Sequence, residues 1–187
     1  MAEFRRKERY YHELVIIAVI IGVFCGLTAM FSTLLNLIMQ LFLEVPVEYT
    51  ILEPNKPEIP NPPKKPWFIP LIVRLGGLLA GVIVFRFAPE AEGHGTDAAI
   101  AAFHRFAGKV RARVPFVKMV ASAITIGSGG SAGREGPMAQ IGAGIGSKLA
   151  SIFKFNTRIR RIALVTGIGA GIGTIFKAPL GLSLIHI

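Results

Sequence analysis

Between Glu13 and Glu44 the chain runs for 30 residues, Leu14–Leu43, without one charged side chain. A bilayer core about 30 Å thick needs about 20 helical residues to cross it. The run is therefore expected to span a membrane with pronounced tilt. A signal peptide is the competing reading. Its apolar core usually covers only about 7–15 residues, and no small-x-small cleavage site follows here. Composition agrees with a membrane chain: 52% of residues are hydrophobic, 17% are charged, and the mean hydropathy is +0.56. A soluble domain carries nearer about 25% charge. So apolar a chain is not disordered, and the single Cys25 excludes a disulfide scaffold. The expected class is an all-α polytopic membrane protein with tilted and broken helices.

The net charge of +10 is unevenly spread. Met1–Asp97 carries 9 basic and 10 acidic residues, whereas Ala98–Ile187 carries 12 basic residues and 1 acidic residue. That acid is Glu135, and it lies inside the most glycine-rich stretch of the chain.

Residues 1–13 read as a short basic cytoplasmic segment. Residues 44–66 hold seven prolines and four glutamates and read as a hydrated external loop, because proline at this density excludes helix and sheet core. Trp67–Ala88 reads as a second span. Trp67 suits an interface anchor, Arg74 must face protein or water, and Gly76, Gly77 and Gly81 permit close helix approach. The basic residues Arg105, Lys109, Arg111, Arg113 and Lys118 follow as cytoplasmic anchors. With the acidic loop between two basic segments, the positive-inside rule places the N-terminus in the cytoplasm.

The back half has shorter uncharged runs: Met119–Gly133, Gly136–Ser147 and Ile162–Phe176. Short apolar segments broken by Gly or Pro point to a transporter's binding site, since non-helical backbone at membrane depth persists only around a cavity or inside protein. Broken helices meeting near mid-membrane are expected.

The stretch Gly127–Pro137 reads as a helix start. Pro137 suits a first turn, and the glycines before it leave N–H groups unscreened. A helix N-terminus carries about +0.5 charge and free donors, so it binds an anion without a fixed cation, weakly enough for release. Gly93-His94-Gly95 reads as a second such start, opening a short helix over Ala98–Phe106 with Thr96 or Asp97 as cap. Glu135 beside an anion site is an internal competitor. Ionised, it occupies the donors; protonated, it leaves them to the anion. A static Glu135–Arg134 pair or a simple helix cap is the plainer alternative. No glycine precedes a Lys-Ser or Lys-Thr pair as a P-loop requires, and the glycine repeats at 142–146 and 167–173 have the wrong period for a dinucleotide fingerprint. They read as packing faces, Gly142/Gly146 and Gly169/Gly173.

Gly133-Arg134-Glu135-Gly136-Pro137 resembles the G-[KR]-E-G-P motif of the CLC family of voltage-gated chloride channels and proton/chloride antiporters. Gly127–Ala132, Ala88–Gly95 and Phe176–Gly181 resemble the same family in order and spacing, from Leu14 to Gly181. The resemblance implies the first of two inverted repeats, filling 14–181, in a plasma-membrane homodimer. It assigns the gate to Glu135. It assigns anion binding to Gly133, Arg134, Gly136 and Pro137 on the external side, and to Gly93, His94 and Gly95 on the inner side. The partners it implies are chloride or a related anion, protons and the lipid bilayer, with no cofactor, metal or nucleic acid and no enzymatic activity. His94 stands where the family often has serine. The second half, with its anion-contacting tyrosine, is missing, and none of Tyr10, Tyr11 or Tyr49 is placed to be that residue. Residues 182–187 are expected to be a truncated, non-native end. His12, His104 and His186 lack metal-ligand spacing, and Cys25 reads as packing. The rival readings are a membrane-anchored nucleotide-binding enzyme using the glycine-rich loop, and a fragment that packs without transporting.

Overall fold

The computed structural model describes residues 29–47 and 64–176, with Val15, Val19, Gly22 and Gly26 as isolated helical positions before them. The basic segment 1–13, most of the proline-rich loop and the end 182–187 lie outside the described residues. So do Lys177–Gly181, most of the junction that resembles the family. Within the described residues every regular element is helical.

α1, Ala29–Met39, is the end of the first uncharged run. It continues through a wide π turn, Gln40–Glu44, in which the Val45 N–H bonds Gln40 O, and then through Val45–Val47. The helix thus runs four residues, Glu44–Val47, into the segment expected to be loop. The widened turn comes just before Pro46, which has no N–H to continue the regular ladder. Phe31 and Leu35, one turn apart on α1, are fully buried against Ala123, Met138 and Ile141.

α2, Ile69–Phe87, follows a 3₁₀ turn at Pro66–Phe68. The segment Pro66–Phe87 is 22 residues long with mean hydropathy 2.3, enough to cross a membrane. It buries only Ile72, Gly76, Ala80 and Val84, a single stripe at helical spacing. Among the described residues Gly76 alone of its three glycines serves close approach, meeting the Ser128 side chain, and nothing lies within 4 Å of a Cβ at Gly77 or Gly81. Arg74 is exposed, away from this stripe.

α3, Thr96–His104, begins two residues earlier than expected. Its N-cap is Gly95, at φ +97°, and neither Thr96 nor Asp97 caps it. α4, Arg113–Gly127, and α5, Glu135–Ile152, flank the glycine-rich loop. α6, Thr157–Phe176, is 20 residues long with mean hydropathy 1.4. It reaches spanning length because Thr157–Arg161 joins the short apolar run as its first turn. Asn156 starts it, its side-chain Oδ1 accepting the Ile159 N–H at 2.9 Å.

The most extensive packing is between α5 and α6. There Gly142 and Gly146 meet the backbone of Gly167 and Ala163, and Gly171 meets that of Met138. The α6 face is therefore Ala163/Gly167/Gly171, one helical face at four-residue spacing. Gly169 and Gly173, the pair read from the sequence, lie off that line.

Candidate functional site

The two glycine-rich helix starts come together. A Cβ at Gly136 would fall on the carbonyl oxygen of His94, and a Cβ at Gly95 would lie 2.8 Å from Gly136 O. Each glycine is thus required by the other turn, and Gly95 also by its positive φ. α5 starts at Glu135 with Pro137 in its first turn, as the sequence predicts. The N-termini of α3 and α5 both carry partial positive charge and unused N–H donors.

A cavity of about 300 Å³ opens onto both turns. Its wall includes Gly93 and His94 from the turn before α3, the inner turn by the family resemblance, Gly133 and Pro137 from the turn before α5, the outer one by the same resemblance, and Lys118, Ser122 and Thr125 from α4. Gly77 and Gly81 of α2 also line it, which accounts for their open surroundings.

Glu135 is exposed at the start of α5. Its Oε2 lies 2.5 Å from where a Gly133 side chain would begin, so the carboxylate folds back over its own helix start. No ion pair joins it to Arg134 among the described residues, so the static-pair alternative is not what the structure adopts. Arg134 is the N-cap residue by position and makes no side-chain cap bond. Its backbone carbonyl accepts the Met138 N–H at 3.2 Å.

Two polar side chains support the inner turn. Lys118 is 4% exposed, and its Nζ donates to Ala91 O at 2.9 Å and also to Gly93 O. This corrects its placement among the cytoplasmic anchors: the ammonium is consumed by turn carbonyls inside the protein. The signal was present in spacing, since Val114, Lys118, Ala121 and Ser122 all share the buried face of α4. Gln140 on α5 donates from Nε2 to Glu90 O at 2.9 Å. Sequence reasoning missed it, although a lone amide inside Pro137–Gly144 is a polar exception worth asking about.

Just below the turn, Arg111 makes a bidentate pair with Glu90. The Arg111 hydrogen bond holds the Glu90 carboxyl below the usual carboxylate range, partly opposed by desolvation, and Glu90 raises Arg111 in return. No cluster able to hold a metal ion occurs among the described residues. The glycine-rich loop joins helix to helix, so it lacks the strand that a dinucleotide-binding turn follows.

Residues 76–186 match the family model for voltage-gated chloride channels. The chain is 38% identical over 120 residues to the H(+)/Cl(−) exchange transporter ClcA of Klebsiella pneumoniae (strain 342), covering 61% of this chain and 25% of that protein. It is 39% identical over 120 residues to ClcA of Cronobacter sakazakii, covering 62% of this chain and 26% of the relative. Its fold is similar to the crystal structure of a slow cyanobacterial Cl−/H+ antiporter, with TM-score 0.68 and 28% identity over 90% of this chain and 38% of that one. The chain thus spans about a quarter of the length of these curated relatives. On its motif, its helical architecture and these matches, the chain belongs to the voltage-gated chloride channel family.

Proposed function

We propose that the protein carrying this segment moves chloride across the membrane in exchange for protons, holding the anion between the starts of α3 and α5 with Glu135 as gate. The observation that carries this reading is the meeting of Gly136 with the His94 carbonyl, which brings two helix N-termini to one cavity. Two half-positive helix ends stabilise an anion. The Lys118 ammonium in the wall of the same cavity adds to the positive field, but its donors point to Ala91 O and Gly93 O, so it does not clamp the anion directly.

The folded-back Glu135 carboxylate occupies the same helix start that would receive the anion. Ionised, it excludes chloride; protonated, it loses its attraction for the N–H donors and swings away. The exchange transporters that the chain resembles favour exchange over a channel and chloride as the anion. A second half and a homodimeric assembly belong to the same reading. Glu135→Gln in the complete protein, reconstituted in liposomes, mimics the protonated gate. Chloride flux should persist and lose most of its pH dependence. Flux that keeps the wild-type pH response overturns the gate assignment.

A further inference from the structure

We propose that Gln140 is a positioning residue for the anion site: its amide ties the inner glycine turn to the gate helix and so fixes the gap between the two helix starts. The inference rests on reading that gap as the anion site. Gln140 follows Gly136 by four residues on α5, so the two share a helix face. Gly136 touches the turn at His94 O. Gln140 holds the same turn at both ends. Its Nε2 donates to Glu90 O before the turn, and its Cβ and Oε1 press on Gly95 after it, 3.0 and 2.9 Å from where a Gly95 side chain would begin. The opposite amide orientation would set two oxygens against each other, so the donor must face Glu90.

This arrangement is costly as mere packing. Gln140 is 2% exposed, and its Oε1 has no hydrogen-bond partner among the described residues. An apolar residue of the same volume would avoid that burial penalty. What the amide supplies, and a methionine could not, is the bond to Glu90 O. Lys118 grips Ala91 O and Gly93 O from α4, on the other side of the turn. With Gln140 released, the turn keeps the Lys118 grip from α4 and the Glu90–Arg111 pair before it, but no polar bond ties it to α5, and it can drift away from the start of that helix. The inner helix start then no longer faces the outer one at a fixed distance.

The test measures chloride and nitrate binding to the complete protein in detergent by calorimetry, for wild type, Gln140→Met and Gln140→Asn. Methionine keeps the length and volume but has no donor; asparagine keeps the amide but stops one methylene short of Glu90. Both variants should bind chloride roughly tenfold more weakly, the scale of one lost buried hydrogen bond, and should change the chloride-to-nitrate affinity ratio. Melting of the methionine variant in anion-free buffer should stay close to wild type, because it loses the unpaired Oε1 together with the bond, which separates positioning from general loss of structure; the asparagine variant, with its buried amide left unpaired, should melt lower. If the methionine variant does not fold, the asparagine variant carries the comparison. Unchanged affinity and ratio in a folded variant overturns the positioning role. Wild type that binds neither anion overturns the anion-site reading itself, and the positioning role with it.

Discussion

Gly136 shows how one residue can be decided by a segment 42 positions away. Its own helix would accept alanine gladly, yet a methyl there would collide with the His94 carbonyl. The sequence motif gives the glycine; only the fold gives the reason. The polar supports were less legible. Lys118 looked like one more cation in a basic stretch, and nothing local says that its partners are carbonyls 25 and 27 residues earlier. Gln140 bonds across 50 residues, a pairing no periodicity encodes. The Glu90–Arg111 pair is likewise non-local, and it has a testable pH signature. Because the Arg111 hydrogen bond lowers the Glu90 carboxyl, its stabilisation is present above the ordinary carboxylate range and is lost as pH falls through the depressed value. Melting of wild type and Arg111→Gln, compared between about pH 7 and about pH 3, should show a gap that closes at the acid end. The gap should be modest, since the two side chains are 36% and 63% exposed. A gap that widens as pH falls would contradict the assignment.

At the scale of elements, α5 is the post on which the site is hung. Glu135 and Gly136 form its start, Gln140 holds the inner turn, and Ser147 clips the following loop. The Ser147 hydroxyl donates to Gly108 O at 2.6 Å and accepts the Val110 N–H at 2.8 Å. Gln140 and Ser147 are seven residues apart and so lie on one face, two turns from each other. The opposite face is the glycine seam with α6, where backbones touch. Gly146→Val should therefore destabilise the complete protein by about 1–3 kcal/mol through overpacking, read as a lower detergent melting temperature. Gly77→Val, at a position open among the described residues, should cost clearly less. Equal losses at the two positions would show that the seam is not specially tight. The start of α5 was legible because Pro137 acts locally, whereas that of α3 was read two residues late and with the wrong cap. The seam register on α6 was not legible, because residues 167–173 carry glycine at every second position. That spacing marks two faces of a helix equally, and only docking against α5 selects Gly167/Gly171. The π turn before Pro46 and the added first turn of α6 were hidden for a related reason. Hydropathy alone ends a helix where charge begins, whereas capping by Asn156 lets the helix begin among charges.

For the whole molecule, the split of charge acquires a physical meaning. The basic residues of the second half cluster at the loop after α3 and at the start of α6, which the fold brings side by side. A side chain at Gly108 would begin 3.1 Å from the Arg161 backbone nitrogen, and Arg161 stacks over Phe103 at 5.5 Å. One end of the helical assembly is thus strongly positive. The positive-inside rule favours the cytoplasmic side for that end, and we propose that the start of α2 then faces outside. The orientation can be read directly. In the complete protein with Cys25→Ser, a single cysteine at Lys109 should react with an impermeant maleimide only in inside-out vesicles. A single cysteine at Asn61 should react only in intact cells. The reverse pattern would invert the proposed topology, turning Glu135, the proposed gate, toward the cytoplasm and the His94 turn toward the outside. The proposed anion route between the two helix starts would survive that inversion, since it depends on their contact and not on which side each one faces.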